Sequence, residues 1–290
     1  MILDQSPAIA VLAAACAVLV LRAALWRLGA LGARFSPLLS RRIRSWPGWL
    51  RAAAARILLQ DRYPKPYAAL TARFATGTFT GLPLTLMCMA ALYAAALLGG
   101  LLDDLRETEG LVRLDQGVNA FFAPYRTAWL VGAFVWVTAL GAGPAITGMV
   151  AVASALLWSQ GRARLLVPLW TTFLGAQGTT WAGKYVIGRT RPAFIDAVTA
   201  ATPSFPSGHA TASTALIGFL AYVIARDLPQ SRPRFEVAFW AAAVIGLICF
   251  SRIFLSLHYL SDVAAGVLVG TFWLLVGFAV AELGRQRRVP

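Results

Sequence analysis

Long apolar runs alternate with short polar segments along this chain, and the lengths of the runs make the first structural statement. A helix needs about 20 mostly apolar residues to cross a bilayer. Runs of that size occur at about 7–26, 80–101, 165–185, 208–225, 236–254 and 260–281. The stretch 128–158 is interrupted at Gly141-Ala142-Gly143-Pro144. It reads either as two short spans or as one span preceded by an interfacial or re-entrant piece. No internal repeat is visible, and no low-complexity segment beyond alanine-rich helix. The pattern predicts an all-α fold, an integral membrane helical bundle.

Composition agrees. Hydrophobic residues make up 59% of the chain and charged residues 13%, with a mean hydropathy of +0.68, the balance of a membrane protein. A net charge of +14 raises nucleic acid as a partner. The basic residues, however, form no stripe interleaved with aromatics, so no nucleic-acid partner is expected. Cys16, Cys88 and Cys249 sit inside apolar runs without the spacing of a disulfide framework or a metal site. They read as small buried hydrophobes. The segment before the first run carries Asp4 and no Lys or Arg, so a retained helix is expected rather than a cleaved signal.

Positive charge orients the spans, because cytoplasmic connections collect Lys and Arg. Arg27, Arg34, Arg41, Arg42, Arg44, Arg51, Arg56, Arg62, Lys65 and Arg73 place 27–73 inside. Asp103, Asp104, Glu107, Glu109 and Asp115 suit an outer loop at 102–127. Arg162 and Arg164, then Arg226, Arg232 and Arg234, then Arg285, Arg287 and Arg288 mark further inner segments. An odd number of crossings between 102–127 and 159–164 leaves 143–158 as the span, with 128–141 lying at the outer surface or dipping into it. Seven spans result, with the N-terminus outside and the C-terminus inside. Residues 34–66 mix arginine with Trp and Leu, as in amphipathic helix on an anionic inner leaflet, or form a plain basic linker. The expected division is 1–79 for the first span and basic segment, 80–283 for a six-helix core, and 284–290 for a basic tail.

Polar chemistry interrupts this apolar chain in three places. Lys184-Tyr185-Val186-Ile187-Gly188-Arg189-Thr190-Arg191-Pro192 holds one of two lysines. Pro206-Ser207-Gly208-His209 and the segment Ser251 to Asp262 hold the two histidines, His209 and His258. On the charge topology all three clusters face outward. Ser207 is placed as a helix N-cap, and Gly208 lets backbone approach a ligand at a helix N-terminus, a ready anion site. His209, in that first turn, can protonate a leaving oxygen. His258 and Asp262, four residues apart, would share a helix face, the carboxylate fixing the imidazole tautomer so that the other nitrogen attacks. Lys184, Arg191 and Arg252 place three cations around one site, more than a single carboxylate needs and suited to a phosphoryl group. Ser204, Phe205, Phe194 and Tyr259 are candidates to line the site. Arg189 and Asp196 read as structural or surface residues. No carboxylate pair or His/Cys cluster accompanies the site, so no metal is expected.

The order Lys184-x6-Arg191-Pro192, Pro206-Ser207-Gly208-His209 and Ser251-Arg252-x5-His258-x3-Asp262 resembles the three-part signature of the type-2 phosphatidic acid phosphatase superfamily. That group holds membrane lipid phosphate phosphatases and, on a soluble scaffold, vanadium haloperoxidases. The resemblance covers about residues 80–281 and leaves the first 79 outside. It implies a six-helix phosphatase core, here with one extra N-terminal transmembrane helix. By implication His258 forms a phosphohistidine, Asp262 orients it, and His209 protonates the leaving group and then activates water. Lys184, Arg191, Ser207, Gly208 and Arg252 would hold the phosphoryl oxygens, with no metal and no cofactor. The expected substrates are lipid phosphates or diphosphates, with undecaprenyl diphosphate, phosphatidylglycerophosphate and phosphatidate as candidates. The expected location is a bacterial inner membrane, the site facing the periplasm. A lipid phosphotransferase using the same phosphohistidine, or a non-catalytic lipid-binding or transport protein, are the alternatives; a haloperoxidase is not expected among membrane spans.

Overall fold

The computed structural model describes residues 7–44, 60–75, 78–107, 109–192 and 202–286, and within them every regular element is helical. The chain divides into two compact units, Met1–Ala72 and Arg73–Pro290. The first unit begins with α1 (Pro7–Arg44), whose segment Val11–Phe35 is long and apolar enough to cross a membrane. The first run was expected to end near Trp26. The helix instead continues through Arg27 and Arg34, because the alanines, leucines and arginines that follow are strong helix formers. The amphipathic segment is therefore partly the end of α1, while 45–59, with its Leu50–Leu59 portion, lies outside the described residues. A short helix, α2 (Pro64–Arg73), follows, with proline in the first turn where a missing N–H costs nothing.

The second unit holds α3 (Leu82–Glu107), α4 (Glu109–Phe122), α5 (Ala128–Ala139), α6 (Gly143–Ser159), α7 (Leu166–Ile187), α8 (Gly208–Asp227), α9 (Ser231–Phe254) and α10 (Leu260–Gln286). Among the described residues six segments are apolar enough to span, α5 and α6 counting as one, and α7 is not one of them. At about 1.5 Å per residue its 22 residues still reach about 33 Å, a bilayer's thickness. Its composition falls short because of Thr172, Thr179, Thr180 and Lys184, which point into the bundle. Thr172 and Thr180 donate back to the carbonyls of Pro168 and Ala176 at 2.8 Å, and Trp273 Nε1 donates to Thr179 Oγ1 at 2.9 Å. α7 packs against α8 and α10, so its polar groups are satisfied inside the bundle and we read it as the seventh span.

Between helices in lipid, apolar burial drives little, since acyl chains are as apolar as leucine; close approach of backbones decides the packing. α10 supplies it with a seam of glycines against α8 and α7. A Cβ at Gly266 would lie 2.6 Å from the Ser207 carbonyl oxygen, one at Gly270 2.8 Å from that of Thr211, and one at Gly277 1.9 Å from Thr172 Oγ1. Below this seam Ile146, Val150 and Leu157 of α6, Leu169 of α7 and Leu216 and Phe219 of α8 form one buried cluster.

The connection expected to be an outer loop, 102–127, is mostly helix. α3 runs on to Glu107, and α4 is an amphipathic helix whose single buried residue is Asp115. The break at Gly141 is real: α5 ends at Ala139 and α6 begins at Gly143. α5 packs Leu130, Val131 and Phe134 against Phe254, Leu255 and Leu257 at the end of α9.

Candidate active site

Four helix termini meet at one end of the second unit: the ends of α7 and α9 and the starts of α8 and α10. Gly188, at φ 62°, ends α7 in the left-handed conformation that closes its last turn onto the Lys184 carbonyl at 3.0 Å. The chain then returns so that Ser204 N–H bonds the Arg189 carbonyl at 2.8 Å. Ser207 N–H donates to the Asp262 carbonyl at 3.0 Å, tying the start of α8 to the start of α10. After α9, the amides of Leu257 and His258 both fold back to the Arg252 carbonyl, at 3.0 and 3.2 Å. Ser256 takes φ 55° in that turn, and its hydroxyl reaches Asn119 Oδ1 at 2.9 Å. Arg126 braces the same turn through the Phe254 carbonyl at 2.7 Å and the Asn119 side chain.

All of the expected catalytic and phosphate-binding residues come together here. His258 is 3% exposed. Its Nε2 lies 3.2 Å from Arg191 Nη1, and its Nδ1 lies 3.6 Å from Asp262 Oδ2. A guanidinium can only donate, so Nε2 accepts and Nδ1 carries the proton, facing the carboxylate. At 3.6 Å the Nδ1–carboxylate contact is an electrostatic neighbourhood rather than a formed hydrogen bond. The expectation of one shared helix face needs amending, because His258 precedes the helix. What brings the two together is the helix cap: Tyr259 N–H donates to Asp262 Oδ2 at 2.9 Å, the returning half of a capping box. Burial pushes the His258 imidazole down from 6.5 to about 4; Asp262 opposes that shift, and Arg252 and Arg191 add to it.

Asp262 is fully buried and held on both oxygens. Oδ1 accepts Arg189 Nη1 at 2.7 Å, and Oδ2 accepts Ser204 Oγ as well as the Tyr259 amide. With Asp262 paired to Arg189, the other cations contact only neutral groups among the described residues. Arg191 donates to the carbonyls of Thr202 at 2.8 Å and Leu257 at 2.7 Å, and to Thr202 Oγ1 at 3.2 Å. Lys184 Nζ donates to the Pro203 carbonyl at 2.5 Å. Arg252, 5% exposed, donates Nη1 to Thr138 Oγ1 at 2.7 Å and leaves Nε buried without a partner. Burial lowers the Arg191 pKa, with Asp262 opposing.

Ser207 holds the N-cap position of α8 with extended backbone, as its sequence context predicts, yet its hydroxyl makes no capping bond. That Oγ is buried and unpartnered. A Cβ at Gly208 would meet only the Thr180 methyl, at an ordinary 3.6 Å, so packing within the chain does not require a glycine there. His209 lies in the first turn of α8, in electrostatic range of Arg252, His258, Arg191 and Lys184. Gly141 packs beneath it: a Cβ there would sit 3.2 Å from His209 Cδ2 and 2.7 Å from Ile248 Cγ2. Ser204 and Phe205 are buried beside the site and Tyr259 borders it, while Phe194 and Asp196 lie outside the described residues.

Sequence reasoning missed Thr138, Asp115 and the site role of Arg189. Thr138 sat in an apolar run, and Asp115 was one acidic residue among five in an apparent loop. The repeated Arg-x-Arg of Arg189 and Arg191 was visible, but which of the two points where is a tertiary matter. Among the described residues no group of three or more His, Cys, Asp or Glu is placed to hold a metal ion. A cavity of about 760 Å³ between α6 and α8 lies at the far end of the bundle, beside the Arg162–Asp227 ion pair, a helix length from this chemistry.

Three cations whose partners among the described residues are neutral, a helix N-terminus and a buried imidazole with an accepting Nε2 form a pocket suited to an anion. Residues 164–284 match the model of the PAP2 superfamily. The chain carries a PAP2-superfamily domain. It is 27% identical over 179 residues to phosphatidylglycerophosphatase B of Bacillus subtilis, covering 59% of this chain and 86% of that protein. Its fold is that of the crystal structure of the first transmembrane PAP2-type phosphatidylglycerolphosphate phosphatase, from Bacillus subtilis, with a TM-score of 0.59 and 23% identity over 70% of this chain and 97% of that one. LpxE of Aquifex aeolicus is a more distant likeness, at a TM-score of 0.45 and 20% identity over 60% of this chain and 97% of that one. The chain is thus an integral membrane protein whose residues 164–284 match the PAP2 superfamily. The matched segment holds α7, α8, α9 and nearly all of α10, and so all four helix termini of the site, but not α4, α5 or α6.

Proposed function

We propose that this chain hydrolyses a lipid-borne phosphomonoester or diphosphate at the outer face of a bacterial plasma membrane, through a phosphohistidine on His258. The observation that carries the reading is the grouping of Lys184, Arg191 and Arg252, each with neutral partners only, around a neutral His258 whose Nε2 is the accepting nitrogen. An incoming phosphoryl group offers those cations the anionic oxygens that carbonyls and a hydroxyl now stand in for. As Arg191 turns from Nε2 to a phosphoryl oxygen, the nitrogen lone pair is released toward phosphorus. The P–N bond forms while the bond to the leaving lipid oxygen breaks, and protonated His209 gives that oxygen its proton. The Nδ1 proton, now on a cationic phosphoimidazole, faces Asp262. A water then gives its proton to His209 and attacks phosphorus, the P–N bond breaks, and inorganic phosphate leaves. Proton transfer of this kind contributes about 10²–10⁴ in rate.

Ser207 Oγ and Arg252 Nε, buried without partners, are donors available for the same oxygens, beside the first amides of α8. The cations supply the charge neutralisation the transfer needs, so no step is assigned to a metal. The outer-face reading rests on the opposite ends of the spans, where Arg162, Arg164, Arg226, Arg232, Arg234 and Arg285 collect. Phosphatidylglycerophosphate leads the substrates, because relatives carrying this fold bear that name; undecaprenyl diphosphate and phosphatidate share its chemistry.

The test is phosphate release by the detergent-purified protein in EDTA on those three lipids and a soluble phosphomonoester, with His258→Ala alongside. Release from one lipid, unaffected by EDTA and absent in the variant, is the expected result. Release that EDTA abolishes would overturn the metal-free mechanism. Release that survives in His258→Ala would overturn the nucleophile, and no release from any lipid would overturn hydrolysis in favour of transfer to another acceptor.

A further inference from the structure

Asp115 is the one buried residue of α4, a helix outside the segment that matches the PAP2 model, and it is a carboxylate with no exposed side-chain surface. A buried charge is costly unless paired and hydrogen-bonded. Asp115 is both. Oδ1 accepts the Ser261 amide at 3.0 Å, and Oδ2 accepts Ser261 Oγ at 2.5 Å and Arg189 Nη2 at 2.8 Å. Arg189 in turn sends Nη1 to Asp262 Oδ1 and to Ser261 Oγ, each at 2.7 Å, and lies over the Tyr259 ring at 4.2 Å. Its guanidinium thus bridges two buried carboxylates, and both terminal nitrogens are engaged. Burial works against its charge, but Asp262 and then Asp115 outweigh that and hold its pKa above the ordinary range.

We infer that Arg189 and Asp115 form a positioning clamp that holds the Asp262 carboxylate on the Nδ1 side of His258, so that α4 helps set the tautomer of the nucleophile. The clamp takes Oδ1 of Asp262, the helix cap and Ser204 take Oδ2, and the carboxylate plane is left no freedom to rotate. Its negative charge then faces Nδ1 at 3.6 Å and favours the proton there. Without Arg189, Asp115 and Asp262 become two uncompensated carboxylates sharing Ser261 as a neighbour, and one of them protonates or turns away. Without Asp115, Arg189 keeps one carboxylate and the Ser261 amide loses its acceptor. Neither residue reaches the phosphoryl group, so the loss falls on the chemical step rather than on substrate binding.

This assignment rests on His258 being the nucleophile, so the experiment reads the imidazole as well as turnover. The chain has only two histidines, which makes ring ¹⁵N spectra of histidine-labelled protein assignable with a His209→Asn reference. Arg189→Gln and Asp115→Asn are expected to lower kcat at least about ten-fold with KM within about two-fold, as small losses of alignment do. The same variants are expected to move His258 from the Nδ1–H tautomer toward a mixture, and Arg189→Lys is expected to recover part of both. An unchanged tautomer, a kcat within about two-fold of wild type, or a raised KM at unchanged kcat would each overturn the clamp. Should Arg189→Gln not fold, Asp115→Asn decides, since it keeps the shape and one acceptor; if both unfold, the residues serve stability and the positioning role is wrong. A tautomer change in a protein that releases no phosphate would leave the clamp standing and sink the phosphatase reading alone.

Discussion

One methyl group at Gly266 should cost this protein most of the proposed activity while leaving its fold in place. In Gly266→Ala the new Cβ would lie 2.6 Å from the Ser207 carbonyl oxygen, 2.9 Å from Ala210 Cβ and 3.2 Å from the Thr211 nitrogen. Two of these three are backbone atoms, so no side chain can rotate away. Ordinary contact begins at 3.4 Å, so α8 and α10 must part by about 0.8 Å, at an overpacking cost of about 1–3 kcal/mol. The atom struck belongs to Ser207, whose amide bonds the Asp262 carbonyl at 3.0 Å. The displacement therefore separates Ser207, Gly208 and His209 from Asp262 and His258. A misplacement approaching 1 Å is worth on the order of 10² in rate. The assay is kcat/KM on the lipid that wild type hydrolyses, with thermal unfolding in detergent. Gly148→Ala, where a Cβ meets nothing within 4 Å on α6, is the control, expected to keep its activity and gain up to about 1 kcal/mol of helix propensity. If Gly266→Ala matched wild type within about two-fold in kcat/KM and in Tm, the helix seam would not be what aligns the two halves of the site.

Other consequences can be checked independently. The ¹⁵N ring shifts of His258 should titrate with a midpoint near 4 rather than 6.5, since burial and the facing Arg252 and Arg191 outweigh Asp262. Protonation removes the attacking lone pair, so trapped phosphohistidine should persist down to about pH 5 and be lost as pH falls through about 4; a midpoint near 6.5 would contradict the buried, neutral nucleophile. Thr138→Val keeps its shape but strips Arg252 Nη1 of its partner, leaving a buried donor unmet at about 1–3 kcal/mol. Weaker inhibition by vanadate, read as a raised inhibition constant, is expected; unchanged inhibition would mean Arg252 is placed by other contacts. Ser207→Ala should likewise weaken vanadate with little change in Tm, because the lost hydroxyl caps nothing in the free protein.

The residues of the site were legible in the sequence because their chemistry has no place in an apolar chain. Lys184, Arg191, His209, Arg252, His258 and Asp262 interrupt hydrophobic runs, and all of them arrive at one end of one bundle. Segment lengths likewise anticipated the long apolar helices, since bilayer thickness sets the length of a span. α7 was expected as a span from its apolar run at 165–185, and its threonines and Lys184 make it more polar than the six other segments. α1 outran its expected end, because helix propensity in Ala, Leu and Arg does not stop where hydropathy does.

Pairing was not legible, since it depends on side-chain direction and not on residue type. Periodicity put His258 and Asp262 on one helix face, whereas a cap at Tyr259 and a clamp by Arg189 do the work of holding them. Asp115 looked like loop charge until α4 brought it under Ser261, and Thr138 looked like one more residue in an apolar run until α5 packed on the end of α9. Sequence alone thus determined which groups this protein has to work with and that they lie among membrane spans. The tertiary structure decided which arginine is left with neutral partners and which neutralises a carboxylate, because only distance separates Arg191, facing His258, from Arg189, two residues away and facing Asp115 and Asp262.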